Sequence, residues 1–417
     1  MIESGNPLFW RATLALCLGS FMIFANVYVT QPLLPMLAQA FEVSPLEAGW
    51  TFTVTTLTLG LSLLLWGPLS DALGRRWIML LTMSGATLVT LLLSFTDDYT
   101  GMLVLRAVQG VLLAGLPAIA IAWMGDEFSR KAMLLAVGLY IGGNSLGGIS
   151  GRLIGGFVGD WLGWSEAFLV MTLLSIICLL LFALLLPPSQ HFEPRPLRPR
   201  QMAADLGGHL RNPLLLLAYL IGGFNFFIFV NQYSYITFVL ADAPYNLPAS
   251  LLGMLFLTYL SGTFGSSISG RAGQRWSQPV CMAAGTLILM LGSLLTLVDS
   301  LLMIVLGLLV NSFGFFFAHS SASSWVSQNA QRARASASSL YLLFYYSGAS
   351  AGGFYLNPFW EWLGWPGVIL GSWLILLLTF GLSIRLRALK SAVETGRDSA
   401  KIALDVQPEQ TKSTTPP

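Results

Sequence analysis

The sequence predicts an all-α, polytopic membrane protein: twelve transmembrane helices in two pseudo-symmetric six-helix bundles. Three observations carry that prediction. The first is composition, 55% hydrophobic against 10% charged residues, where a soluble protein carries about 25% charged. Most of the surface of such a chain faces lipid. The second is a succession of apolar runs, each near the roughly 20 residues that span a bilayer as a helix. The third is an internal repeat. Asp160-Trp161-Leu162-Gly163-Trp164 returns as Glu361-Trp362-Leu363-Gly364-Trp365, 201 residues later. Leu139-Tyr140 returns as Leu340-Tyr341 at the same offset, and Gly147 and Gly151 fall on Gly348 and Gly352. A duplicated membrane bundle with a site between its copies is the usual plan of a secondary transporter.

The first six runs centre on 14–30, 51–66, 78–95, 102–123, 133–158 and 168–186, and form an N-terminal bundle over 1–186. A polar gap, 187–213, holds six prolines among charged residues and reads as a linker. Six further runs follow at 214–239, 251–269, 280–298, 301–325, 335–356 and 368–385, and form a C-terminal bundle over 214–390. The tail, 391–417, is polar, ends in Thr-Thr-Pro-Pro and is expected to be disordered. The third, sixth, ninth and twelfth runs are nearly all apolar, as outer helices facing lipid should be.

Basic residues test the topology, because Lys and Arg favour cytoplasmic loops. With both termini inside, cytoplasmic segments hold 19 of the 21 basic residues, among them Arg195, Arg198, Arg332 and Lys412. The other two, Arg106 and Arg152, lie within helices, and the outward loops carry acids only. The two Trp-Leu-Gly-Trp copies then fall on the outward face, where tryptophans suit the interfacial belt.

Composition also excludes. Net charge is +2, which gives no nucleic-acid signal. Cys17, Cys178 and Cys281 lie in apolar runs without metal-ligand or CxxC spacing, so no disulfide framework is expected. The first apolar run is too long for a cleavable signal peptide. There is no P-loop for ATP, no His/Cys/Asp metal cluster and no catalytic triad spacing. No enzyme activity, cofactor or metal is expected.

The loop after the second run reads Gly67-Pro68-Leu69-Ser70-Asp71-Ala72-Leu73-Gly74-Arg75-Arg76. It resembles the G-x-L-x-D-R-x-G-R-R signature of the major facilitator superfamily, with Ala72 in place of its first Arg. Glycines there permit a tight turn and close helix approach. The resemblance implies a conformational latch formed by Gly67, Asp71, Gly74, Arg75 and Arg76. In the second copy, Gly273-Gln274-Arg275-Trp276 mirrors Gly74 to Trp77 and puts Gly270 where Asp71 would stand, so the latch should be asymmetric.

An arginine inside a span is costly and marks function by default. Arg106-Ala107-Val108-Gln109-Gly110 in the fourth run resembles the superfamily's R-x-x-Q-G motif, which implies a part for Arg106 and Gln109 in proton coupling or in organising the cavity. Gly147, Gly151, Gly155 and Gly156 in the fifth run resemble the antiporter motif G-x-x-x-G-P-x-x-G-G, with Arg152 replacing its proline. Small residues four apart let helices pack closely. Arg152 is expected near the outward end, paired with Asp160, snorkelling to the interface, or contacting substrate. Asn26 and Thr30 share a helical face, and the following Gln31-Pro32-Leu33-Leu34-Pro35 resembles the P-x-x-P ending of drug and sugar exporters.

In the superfamily the first, fourth, seventh and tenth helices line the cavity. Candidate cavity residues are Asn26, Thr30, Asn225 and Asn231, with Tyr140 and Asn144 and their repeat mates Tyr341 and Tyr345. No Asp or Glu lies deep in a span. His319, followed by Ser320, is the one deep residue that titrates near neutral pH and leads the candidates for proton coupling. The missing carboxylate argues against a strongly cationic substrate, while Arg106 favours neutral polar or anionic cargo.

The resemblance covers about residues 10 to 390 and points to the sugar-efflux and drug-resistance branch. It implies a monomeric carrier in the bacterial inner membrane, embedded in lipid, with the proton gradient as energy source and a small molecule as substrate. The implied activity is proton-coupled efflux by alternating access. An uncoupled facilitator or importer of the same fold is the alternative, and a transport-dead membrane sensor or partner protein is a second.

Overall fold

The computed structural model describes residues 1–194, 199–330 and 334–405. Arg195, Arg198, Arg332 and Lys412, and with Lys412 the last part of the tail from 406, lie outside the described residues. The backbone of the tail is helical up to Asp405.

Ten apolar helices run in order. They are α1 (Pro7–Ala40), α2 (Pro45–Leu73), α3 (Arg75–Leu93), α4 (Tyr99–Glu127), α5 (Lys131–Trp161), α6 (Trp164–Leu185), α7 (Pro213–Ala241), α8 (Ala249–Gly273), α9 (Gln278–Leu295) and α10 (Leu301–Asn329). A last helical stretch, Ser336–Ala392, is broken at Gly364 by φ 60° and ψ −137°. It therefore supplies two spans, α11 (336–363) and α12 (365–392), and the total among the described residues is the expected twelve. A short helix, Pro199–Arg211, lies inside the linker.

The repeated pentad makes these turns. Gly163, between α5 and α6, and Gly364, between α11 and α12, both take positive φ, 124° and 60°. An L side chain is strained there and glycine is not. In both copies the first tryptophan is exposed (Trp161 and Trp362), and the second packs inward. Trp164 lies against Phe41, and buried Trp365 donates to the Thr296 carbonyl. The pentad is thus half anchor and half corner.

Glycines also set the helix pairing within each half. A Cβ added at Gly143, Gly147, Gly151 or Gly155 would strike the α1 backbone at Cys17, Phe21, Ala25 and Val29. The spacing of four keeps the stripe on one face, so α1 and α5 pack backbone to backbone. The repeat reproduces this, with Gly348 and Gly352 of α11 against Gly223 and Phe227 of α7. Outer α6 exposes Leu173, Ile177, Leu180 and Leu184.

The N-terminus, the linker and the α4–α5 loop meet at one end, the terminal end. Ile2 pairs with the backbone of Glu127 and Ser129, and Glu127 accepts from the backbone of Gln190 and His191. At the opposite, far end the two halves close on each other. Trp50 meets Phe354, Ser350 bonds to Thr56 and to the Thr53 carbonyl, and Ser250 donates to Asp160. Gly60 of α2 admits Tyr346 of α11 nearer the middle. The described side-chain bonds and ring contacts between the halves all lie between that level and the far end.

Candidate functional site

Arg106 explains the N-terminal half. Proline at 32 and 35 interrupts α1, which is α-helical to Tyr28, forms a 3₁₀ turn at Gln31–Leu33 and resumes at Leu34. Val29 closes the first segment onto the Ala25 carbonyl. The next carbonyls need other donors. Arg106 supplies them: Nη1 donates to Asn26 O and Nη2 to Val27 O, each at 3.1 Å, and Nε donates to Thr51 O at 2.8 Å. Nη1 also bonds Gln109 Oε1, and Nη2 reaches the Thr30 hydroxyl at 3.4 Å. A cation near a helix C-terminus is favoured by its dipole as well.

A polar net holds this arginine. Gln109 Nε2 donates to Thr90 Oγ1 at 2.7 Å, Thr90 to Asn26 Oδ1 at 2.9 Å, and Asn26 Nδ2 to Ser175 Oγ at 2.9 Å. Arg106, Gln109, Asn26 and Thr30 are all fully buried. Asn26 and Thr30, expected to line the substrate cavity, lie in this structure within that buried net. Their shared face points into their own bundle, where the broken helix needs partners. Arg106 and Gln109 organise that bundle, and no ion pair joins Arg106 to a carboxylate among the described residues.

The second half repeats the net without the cation. Trp123 and Trp325, both fully buried, mark an α4-to-α10 offset of 202. Gln109 then maps onto Asn311 and Arg106 onto Leu308. Asn311 Nδ2 donates to Gln232 Oε1 at 2.7 Å and to Ser293 Oγ at 3.1 Å, and Ser293 donates to Gln232 at 3.1 Å. Asn225, expected in the cavity, is also buried and accepts from Thr286 at 3.3 Å. Asn231 ties α7 to α11 through the Ala349 carbonyl at 2.8 Å. It borders a narrow crevice between the halves at the far end, with Trp50, Thr53, Tyr235 and Phe354.

His319 sits apart from Arg106, in the other half, at the centre of an aromatic cluster. Its Nδ1 shares a hydrogen bond with the Tyr341 hydroxyl at 2.8 Å. Its ring lies 4.9 Å from Tyr345 and 5.7 Å from Phe315. Tyr345 stacks on Phe226 at 3.6 Å. The repeat mates of these tyrosines in α5 are Tyr140, which is buried, and Asn144, which is half-buried and bonded to Ser20.

Arg152 lies where the halves meet. It is 2% exposed, so it does not snorkel. It does not pair with Asp160 either, since Asp160 accepts from Ser250 across the interface at 2.6 Å. Arg152 Nε donates to Gln31 Oε1 at 2.7 Å and Nη1 to the Gly148 carbonyl at 2.9 Å. Its Cζ is 3.8 Å from the Tyr28 ring, 4.5 Å from Phe256 and 4.6 Å from Tyr259. Distance along the helix explains the difference: eight residues on, about 12 Å further along α5, Asp160 meets Ser250 at the start of α8, while aromatic rings of α1 and α8 surround position 152. Gly156, one turn on, packs against Ala249 and Gly253 of α8.

The expected latch residues come together at the terminal end. Gly74 takes φ 111° in the turn from α2 to α3. Arg75 bridges Asp71 at 2.8 Å and Asp126 of α4 at 2.5 Å, and Arg76 donates to the Ala183 carbonyl at 2.9 Å. Gly67 leaves space toward the Ala118 carbonyl. Asp126 was not evident from the sequence, although an acidic pair, Asp126-Glu127, at the end of a span signals a partner. In the second half Gly270 and Gln328 border a polar pocket, and no ion pair joins α8 to α10 among the described residues.

Residues 16–353 match the family model described as Major Facilitator Superfamily. The chain is 39% identical over 386 residues to the Inner membrane transport protein YnfM of Escherichia coli (strain K12), covering 93% of this chain and 92% of that protein. It is 38% identical over 382 residues to the Uncharacterized MFS-type transporter YybF of Bacillus subtilis (strain 168), covering 92% and 95%. Among solved structures it is similar to a bacterial homolog of the human lysosomal transporter Spinster in an inward-facing and occupied conformation. That similarity has a TM-score of 0.73 at 16% identity, covering 92% of this chain and 97% of that one.

Proposed function

The chain belongs to the major facilitator superfamily of transporters, and from that premise we propose that it exports a small polar or drug-like molecule by proton-coupled alternating access. The carrying observation is the join between the halves. Side-chain contacts close it at the far end, from Trp50–Phe354 and Ser250–Asp160 to Arg152, while His319 and Tyr341 lie in α10 and α11, outside those contacts. A carrier of this plan rocks its halves about a midplane site.

The basic residues support a terminal end that faces the cytoplasm of the bacterial inner membrane. The branch-specific glycines of α5 support export. With no carboxylate in the described polar nets, His319 and its Tyr341 partner carry the proton. Arg106, fully engaged by neutral acceptors, does not bind cargo. The unit of transport is a monomer.

A thermal-shift screen against sugars, amino acids and drugs would find the ligand, since binding to the folded state raises apparent stability. Everted vesicles given that ligand from outside would then accumulate it only with a proton gradient, and an uncoupler would abolish accumulation. Uptake indifferent to the uncoupler would replace this reading with an uncoupled facilitator.

A further inference from the structure

We propose that Arg152 is the fastening of the far-end gate, a buried cation that joins the two halves by cation–π contact and releases them when that end opens. The proposal rests on the alternating-access reading.

The surroundings of Arg152 divide cleanly by half. Gln31, Gly148 and Tyr28 belong to its own half and travel with it. Phe256 and Tyr259 belong to α8 of the other half. The division follows from local structure. α8 is interrupted by a 3₁₀ turn at Leu255–Thr258, with Tyr259 opening the next helical segment. In a 3₁₀ turn side chains three apart eclipse, which aligns 256 with 259 on the arginine. Gly253 brings the backbones close enough, since a Cβ there would stand 2.7 Å from the Arg152 carbonyl.

The chemistry suits a fastening that must undo. Arg152 has no ion pair to a carboxylate among the described residues. A carboxylate across this interface would bind through a Coulomb energy that grows as the dielectric falls, and would resist separation. Ring faces hold a desolvated guanidinium more weakly. On opening, the two α8 rings are lost, water reaches the guanidinium, and its bonds to Gln31 and Gly148 remain. The rings also screen the charge from the join while it is closed. Gln31 extends the contact, its Nε2 lying 3.5 Å from Ser234 Oγ of the other half.

The test uses full-length protein lacking Cys17, Cys178 and Cys281, with cysteines at 160 and 250, whose native side chains touch at 2.6 Å. Disulfide yield under a mild oxidant reports far-end closure without any transport assay, so it stands apart from whether the carrier is proton-coupled. Adding Arg152→Ala should lower the yield at least about threefold, as expected when desolvated cation–π contacts are lost. Tyr259→Phe keeps a ring face and should keep the yield. Tyr259→Leu keeps apolar bulk without the face and should lower it. Each variant is compared at matched melting temperature and monodispersity. An unchanged yield in Arg152→Ala, or equal yields in Tyr259→Leu and Tyr259→Phe, would overturn the proposal.

Discussion

Two arginines lie buried in the same half, neither paired with a carboxylate among the described residues, and they are held by opposite means. Arg106 spends its donors on carbonyls and amides of α1, α2 and α4, all within one bundle. Arg152 donates two hydrogen bonds within its own half, where Tyr28 also faces it, and meets two ring faces from the other. The first arrangement is directional and does not change when the halves move. The second is lost in part whenever they separate. Burial alone therefore does not tell a structural cation from a moving one; the ownership of its partners does.

The sharpest way to break this comparison is to remove each cation and measure stability. Arg106→Ala strands the Asn26, Val27 and Thr51 carbonyls in a buried net, and should cost on the order of 3 kcal/mol at roughly 1 kcal/mol per lost bond. A steep fall in detergent melting temperature would show it. Arg106→Lys should rescue little, because an ammonium cannot serve the spread of acceptors that a planar fork reaches. Arg152→Ala should lower the melting temperature far less than Arg106→Ala does. Equal losses would erase the distinction.

The corner glycines come next. Gly163→Ala forces a Cβ into φ 124° and should cost about 1–2 kcal/mol, while Trp161→Ala, at an exposed anchor, should stay within about 0.5 kcal/mol. The pair would show which part of the pentad holds the fold. A small stability effect is also expected at the latch. Asp126→Asn removes one partner of Arg75 at a partly exposed site and should cost about 0.5–1 kcal/mol. Its effect should show in the balance of conformations, read as altered trypsin cleavage of the terminal-end loops, and the symmetric change Gln328→Ala should leave that pattern unaltered. For coupling, His319→Ala should abolish uncoupler-sensitive accumulation without unfolding the protein.

Much of this was legible in the sequence, and the failures have a common cause. Spans, linker and repeat follow from local hydropathy and spacing, which is why twelve helices and the glycine stripe of α5 were readable. Asp71 and Arg75 were readable because they are neighbours on one loop. Asp126 was not, since it meets Arg75 only after 51 residues of chain have folded back. Asn26 and Thr30 share a face by their spacing, and both meet Arg106. What that face meets depends on the break in α1 and on Arg106 reaching it, neither of which helical periodicity encodes. The partners of Arg152 were hidden for a chemical reason. A search for its counter-charge looks among acids, and its cage is made of Tyr28, Phe256 and Tyr259, residues that read as ordinary packing.

Double electron–electron resonance on two spin-label pairs tests the account most directly. One pair sits on the mirrored exposed tryptophans of the far end, Trp161 and Trp362, and the other on those of the terminal end, Trp77 and Trp276. The account predicts that Arg152→Ala lengthens the far-end distance and shortens the terminal-end distance in the same sample. Distances that stay fixed, or that move together in the same direction, would contradict two halves rocking about a gate fastened by Arg152.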